Sequence, residues 1–206
     1  MEALEFRLDR RIHCVFFVEC VFGFGVSRAA AEALVGFLGG EPVGVAYSPL
    51  LPAVSEVVDG VVSPPLLRLY VSERNGVAVL MGGKVPQPSS IPEYYELCWE
   101  LLENASSMGC RYVISVSGIL SAEEVEDVYA ASTSRRLLEL AVEAGCKPYV
   151  GGRLVGVPAV LPAMAPLFGM EGICILPTVY AEEGEREAGL RAFRVVRHIV
   201  TASARD

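Results

Sequence analysis

Residues 76–118 read GVAVLMGGKVPQPSSIPEYYELCWELLENASSMGCRYVISVSG, and this stretch decides the fold. It contains two short apolar runs, at 77–81 and 112–116, of the kind that forms buried strands. The residues between the runs carry apolar side chains at helical spacing. Strand, helix and strand in so short a span predict a right-handed parallel crossover, with strands that helices cover on both faces.

The central helix carries recognisable signals at both ends. Ser90 can cap its first turn, and Glu93 can bond back to Ser90 as in a capping box. Gly109 supplies the left-handed residue that often ends a helix. The predicted buried face comprises Tyr94, Leu97, Cys98, Leu101, Leu102, Ala105 and Met108.

The segments before this stretch predict further strands of the same sheet. Residues 12–20 are almost continuously apolar, as a central strand is, and they lead through Gly23 and Gly25 into an alanine-rich helix. Residues 66–72 and the first apolar run flank Asn75-Gly76, and Asn-Gly between apolar runs favours a hairpin with a type I′ turn. An antiparallel pair therefore lies beside the parallel crossover.

These elements predict an α/β fold with a mixed, mainly parallel sheet. A length of 206 residues fits one domain, 1–206, that can bury a large core. The last helix is expected over 182–206, because its acidic residues precede its arginines in the order that the helix dipole favours.

Composition argues against several classes of protein. The formal net charge of −8 disfavours nucleic-acid binding, which needs clustered cations. Hydrophobic residues make up 52% of the chain, yet no apolar run reaches the roughly 18 residues typical of a membrane span. The acidic N-terminus lacks the basic character of an export signal, so we expect a cytoplasmic protein with no membrane partner.

Neither a metal site nor a catalytic centre is predicted. The six cysteines form no Cys-x-x-Cys pair and are expected to be small buried hydrophobes, although a disulfide stays open. The acidic run at 123–127 lacks ligand spacing and is expected to be a solvated face. His13 and His198 have no nucleophile context, and no catalytic residue or cofactor is assigned.

A small-ligand cleft is the alternative that the motifs leave open. Gly23-x-Gly25-x-x-Arg28 partly matches a dinucleotide fingerprint, but Arg28 replaces the third glycine, so a packing turn is favoured. The hydroxyl groups of 132–134 at a helix start can hold an anion, although ordinary capping explains them better. If a ligand binds, the expected cleft at carboxyl ends of parallel strands gathers Gly23, Gly25, Gly82, Gly83, Ser132, Thr133, Ser134 and Arg135.

The order of motifs over about residues 12–180 resembles the proteasome assembly chaperone two family, whose prokaryotic members are mostly archaeal. Each motif is short, and their order and spacing carry the resemblance. They are Gly23-Phe24-Gly25, Asp59-Gly60, Gly82-Gly83 with Gln87, Tyr95-Glu96-Leu97, Met108-Gly109-Cys110, Ser117-Gly118, 128–133, 152–156 and 169–176.

This resemblance implies a three-layer α/β/α domain similar to purine nucleoside phosphorylases. It also implies homo-oligomers, no established catalytic residues, and binding to proteasome-type subunits. Family members that dock through their tail often end in a hydrophobic residue, a tyrosine and one more residue, whereas 201–206 read TASARD. A surface contact is therefore expected instead.

Two hypotheses about function follow. The first is a non-enzymatic chaperone or scaffold, and the alternative is a protein or enzyme that binds a nucleoside, a phosphate or a nucleotide. Two apolar but proline-interrupted segments, 47–52 and 157–168, suit an interface between copies better than regular core elements. The predicted interface residues are Tyr47, Leu50, Leu51, Met164, Leu167 and Phe168.

Overall fold

The computed structural model describes residues 4–180 and 184–202. Its strands are β1 Glu5–Leu8, β2 Phe16–Cys20, β3 Glu41–Tyr47, β4 Glu56–Val58, β5 Val61–Ser63, β6 Leu67–Ser72, β7 Val77–Gly82, β8 Tyr112–Val116, β9 Ile119–Leu120, β10 Val128–Ser132, β11 Lys147–Pro148 and β12 Glu171–Val179. Its helices are α1 Phe24–Leu38, α2 Ile91–Ser107, α3 Arg135–Glu143, α4 Val157–Met164 and α5 Glu185–Ala202, with short 3-10 turns at Glu73–Asn75 and Ala165–Phe168.

The main sheet has the strand order β1-β3-β6-β7-β2-β8-β12-β10-β11, with β9 paired beside β12. Strands β7, β2, β8 and β12 run parallel to one another. Strands β1, β3 and β6 pair antiparallel, as do β6 with β7 and β10 with β12. The predicted crossover from β7 through α2 to β8 passes over β2, which lies between these two strands. The predicted mixed α/β sheet is confirmed.

Helices cover the sheet on both faces because side chains alternate along each buried strand. Phe16 and Val18 of β2 pack in one core with residues of α1, α3 and α5. Phe17, between them, packs in the opposite core with residues of α2 and α4. The three layers expected from the resemblance are therefore present, and β2 lies at their centre.

Helix α2 forms as predicted, but its cap differs. The expected face is buried from Leu97 to Met108, and Gly109 follows in the left-handed conformation with φ 80°. Ser90 occupies the cap position without a side-chain capping bond. Glu93 instead accepts a 2.6 Å hydrogen bond from the backbone N–H of Ser89.

The predicted hairpin of β6 and β7 forms, but its type I′ turn is wrong. A 3-10 turn, Glu73–Asn75, connects the strands, and only Gly76 has a positive φ, 63°. The Asn75 side-chain amide donates to Ser72 Oγ at 2.7 Å, which stabilises the longer connection. Two consecutive positive φ values occur instead at Asp59 (50°) and Gly60 (78°), between β4 and β5.

The C-terminal part of the chain differs from expectation in detail. The segment 157–168, predicted to suit an interface better than a regular core element, begins with the partly buried helix α4, because Pro158 lies in the first turn, where its missing N–H is harmless. Helix α5, Glu185–Ala202, confirms the predicted terminal helix where the structure describes it. Residues 182–183 and 203–206 of that prediction, which include most of the tail considered above, lie outside the described residues. No helix of the described residues has the length and apolar character to cross a membrane.

Candidate functional site

The predicted ligand cleft does not form, because its residues lie at opposite edges of the sheet. Strands β2 and β7 are parallel neighbours, so Gly23 and Gly82 follow at their shared carboxyl edge. Strand β10 is antiparallel to β12, and its last residue, Ser132, pairs with Ile173 near the start of β12. The expectation that Ser132 to Arg135 join the glycines is therefore wrong.

The hydroxyl groups of 132–134 are used within the fold. Ser132 Oγ donates to the carbonyl oxygen of Gly172 at 2.9 Å, and Thr133 Oγ1 accepts from the N–H of Gly172 at 2.8 Å. Ser134 Oγ accepts from the N–H of Leu137 and caps α3, as ordinary capping predicts. These contacts explain the hydroxyl groups without a bound anion.

The glycine turn after β2 also serves packing. A methyl group on Gly23 would lie 2.6 Å from the carbonyl oxygen of Val116 and 2.8 Å from the Cα atom of Ser117. A methyl group on Gly25 would overlap the Glu185 carboxyl group at the start of α5. The preferred interpretation, a turn that lets α1 approach its neighbours, agrees with this geometry.

The sequence analysis missed Glu19, the carboxylate of the central strand. Its side chain is fully buried on the α2 side of the sheet. Glu19 Oε1 accepts hydrogen bonds from the N–H groups of Val21 (2.5 Å) and Phe22 (3.0 Å), where the strand turns toward α1. Oε2 makes no well-formed hydrogen bond with the described residues. A single glutamate within the apolar run 12–20 was the available signal.

Burial controls the electrostatics of this carboxyl group. Removal from water raises the pKa of Glu19 from its ordinary value of 4.5 to about 7, and the hydrogen bonds from the N–H groups of Val21 and Phe22 lower it only partly. Near neutral pH the group is therefore divided between its protonated and ionised forms. Because the carboxyl group is fully buried at the centre of the sheet, its ionisation affects the stability of the fold.

Six cysteines occupy the interior as the sequence predicted. All are free and buried. Burial raises the pKa of the Cys14 thiol to about 11 and that of Cys98 to about 12, which keeps both in the inert thiol form. Among the described residues no group of His, Cys, Asp or Glu is arranged to hold a metal ion.

An exposed apolar surface lies on the outer side of α2. Ile91, Tyr95 and Trp99 follow one another at four-residue spacing and are 74%, 51% and 46% exposed. The Trp99 ring contacts the Phe168 ring edge to face at 4.7 Å between centroids, and neighbouring Leu167 is 69% exposed. We call these five residues the α2 face. Sequence analysis found only its Leu167 and Phe168.

The other predicted interface residues have different environments. Tyr47 is exposed and Leu50 half-buried, whereas Leu51 is only 9% exposed and packs in the core beneath α2 and α4. Leu51 is therefore unsuited to a contact with a second copy, contrary to the prediction. Met164 is half-buried beside a cavity of about 550 Å³ that Tyr95, Thr133 and other residues line.

Known structures share this architecture. PbaB of Pyrococcus furiosus, an archaeal proteasome activator, is 23% identical with a TM-score of 0.83, over 98% of this chain and 90% of that one. PbaA of Pyrococcus furiosus, an archaeal homolog of proteasome-assembly chaperone, is 19% identical with a TM-score of 0.79, over 96% and 86%. A proteasome-assembly chaperone homologue of Mycobacterium tuberculosis is 16% identical with a TM-score of 0.68, over 93% and 91%.

These TM-scores establish a shared fold. The relatives come from both archaea and bacteria, so an archaeal source does not follow from the resemblance. No curated protein matches the sequence. The model of the PAC2 family matches residues 23–202, which include helices α1 to α5, and the chain therefore belongs to the PAC2 family.

Proposed function

We propose that this protein is a non-enzymatic chaperone-like protein of proteasome assembly, and that the α2 face binds proteasome-type subunits. Family membership and the relatives described as a proteasome activator and as assembly-chaperone homologues support the partner class. The exposed tyrosine and tryptophan of the α2 face are the observation that carries the proposal. Tyrosine and tryptophan are enriched among the residues that dominate binding energy in protein interfaces.

The geometry of the α2 face suits a protein partner. Three of its five side chains stand on α2, whose other face is fixed in the core, so binding would order little additional backbone. Exposed Glu96 and Glu103 lie on the same helix. A partner surface with an apolar centre and basic residues around it would complement both features.

Truncation at Trp99 tests the proposed contact. Trp99→Ala is expected to weaken binding to proteasome α or β subunits at least tenfold, because central aromatic residues contribute about 2 kcal/mol or more. Binding is measured with purified subunits by surface plasmon resonance. Trp99 is the only tryptophan of the chain, so a blue shift of its fluorescence on binding gives a second measurement.

The control is Leu120→Ala, which removes an exposed apolar side chain from β9, outside the α2 face. It should bind like the wild type. Equal weakening in both variants, or no binding of wild type to either class of subunit, would contradict the proposal. Thermal melts of both variants verify that each remains folded.

We also infer that the protein forms homo-oligomers, with Tyr47 and Leu50 at the contact. The exposed phenol ring at the end of β3 and the partly exposed leucine in the loop that follows leave apolar surface uncovered within one chain. Closed symmetry is the usual result of such self-association. Light scattering after size-exclusion chromatography measures the mass, and a monomer at micromolar concentration would contradict this inference.

Substitutions at the adjacent residues Leu50 and Leu51 test assembly and folding separately. Leu50→Glu is expected to lower the assembled mass with little change in melting temperature, because it forces a carboxylate into the contact between copies. Leu51→Glu is expected to cost about 2 kcal/mol of stability, because Leu51 is buried within one chain. Urea unfolding and light scattering on both variants provide the test. An unchanged mass for Leu50→Glu would place the contact elsewhere.

A further inference from the structure

A polar pocket of about 440 Å³ lies at the carboxyl end of β7, on the α1 side of the sheet. Three basic residues line it, each from a different element: Arg28 from α1, Arg68 from β6 and Lys84 from the loop after β7. Tyr70 and Gly83 also line this pocket. This pocket is distinct from the α2 face, which is on the other side of the sheet.

The fold explains why these side chains converge. Alternate residues of β6, Leu67 and Leu69, are buried in the core on the α2 side, so Arg68 and Tyr70 project toward α1. Tyr70 packs at the margin of the core that α1 covers. Arg68 lies beyond that core and is exposed, which places its guanidinium group at the pocket.

The pocket is cationic within an acidic protein. The chain has 17 basic and 25 acidic residues, yet three basic side chains and one carboxylate, Glu32, line this pocket. Glu32 Oε1 is paired with Arg28 Nε at 2.9 Å. Among the described residues Arg68 and Lys84 take part in no ion pair, so their charges remain available to a ligand.

We propose that this pocket binds the phosphate group of a small molecule. Two guanidinium groups and an ammonium group around one cavity match the charge and the several acceptor oxygens of a phosphate dianion. The volume is sufficient for a phosphate ester of mononucleotide size as well as for free phosphate. The predominance of polar groups disfavours an apolar ligand.

Calorimetric titration tests the site with two probes, inorganic phosphate and adenosine monophosphate, at low ionic strength. Saturable binding of at least one probe is expected for the wild type. Arg68→Gln is expected to raise its Kd at least tenfold, because it removes charge-assisted hydrogen bonds to the anion. Lys84→Gln provides an independent second variant and is expected to raise the Kd severalfold.

The matched control is Arg153→Gln, which removes the same charge from an exposed loop before α4. Its Kd should equal that of the wild type. Tighter binding of the nucleotide identifies a phosphate ester as ligand, whereas equal or tighter binding of inorganic phosphate identifies the free anion. No saturation by either probe at about 10 mM, or equal weakening in Arg68→Gln and Arg153→Gln, overturns the proposal.

Discussion

At pH 8 the Glu19→Gln variant is expected to have a free energy of unfolding about 3 kcal/mol larger than the wild type, with the difference disappearing near pH 4. Burial raises the pKa of Glu19 from 4.5 to about 7 in the folded protein. Each pKa unit corresponds to about 1.4 kcal/mol between the two protonation states. Glutamine resembles the protonated carboxyl group and can still accept from Val21 and Phe22, so it avoids the cost of a buried charge.

The sign follows from proton linkage. Between pH 4.5 and about 7 the folded state holds the Glu19 proton while the unfolded state has released it, so folding binds protons. Raising the pH across this window therefore lowers the stability of the wild type. The stability that folding gains from the raised pKa of Glu19 is fully present below pH 4.5 and is lost as the pH rises through about 7.

Urea unfolding of wild type and variant at intervals between pH 4 and pH 8 measures this difference. Taking the difference at each pH removes the contributions of the other titrating groups. Glu41→Gln, at an exposed position of β3, is the matched control and should follow the wild-type curve. Parallel curves for Glu19→Gln and wild type would show that burial does not perturb this carboxyl group.

Glu19 also illustrates what the sequence could predict. The apolar run that contains it correctly predicted a central strand, because burial of both faces depends on the whole segment. The same run did not indicate which groups would donate hydrogen bonds to the Glu19 carboxylate. Its acceptor oxygen is satisfied by N–H groups two and three residues ahead, in a turn whose conformation depends on close packing at Gly23.

Strand direction explains the failure of the predicted cleft. Helix spacing and apolar runs specify which segments form elements, and these predictions were confirmed for α2, β2, β7 and β8. They do not specify that β10 runs antiparallel to β12, since that depends on pairing between distant residues such as Ala130 and Ile175. Because β10 runs in this direction, the hydroxyl groups of 132–134 lie at the edge of the sheet opposite to that of Gly23 and Gly82.

The α2 face shows a related limit. The buried side of α2 was predicted from apolar spacing, and Ile91, Tyr95 and Trp99 have their own four-residue spacing on the other side. Whether such a second stripe is covered depends on neighbouring elements. Among the described residues only Phe168, from a segment almost 70 residues later in sequence, contacts Trp99 by its ring, and it leaves much of the indole exposed.

Gly172→Ala is expected to destabilise the protein by about 3 kcal/mol, because α4 crosses β12 directly above this residue. An added methyl group would overlap the carbonyl oxygen of Pro162 and lie 2.6 Å from its Cα atom. These are backbone atoms, so relief requires movement of α4 as a unit, and overpacking of this kind typically costs 1–3 kcal/mol or more. Movement of α4 would also disturb the hydrogen bonds that Ser132 and Thr133 make to Gly172.

Gly36→Ala provides the matched substitution in urea unfolding. Gly36 lies inside α1, where an added methyl group would meet no atom within 4 Å. Alanine there should raise stability by about 0.5–1 kcal/mol, because it restricts the unfolded chain and favours helix. The two glycine-to-alanine changes should therefore have opposite signs. If Gly172→Ala left the free energy of unfolding unchanged, α4 would not pack against β12 as closely as the contact between Gly172 and the Pro162 backbone implies.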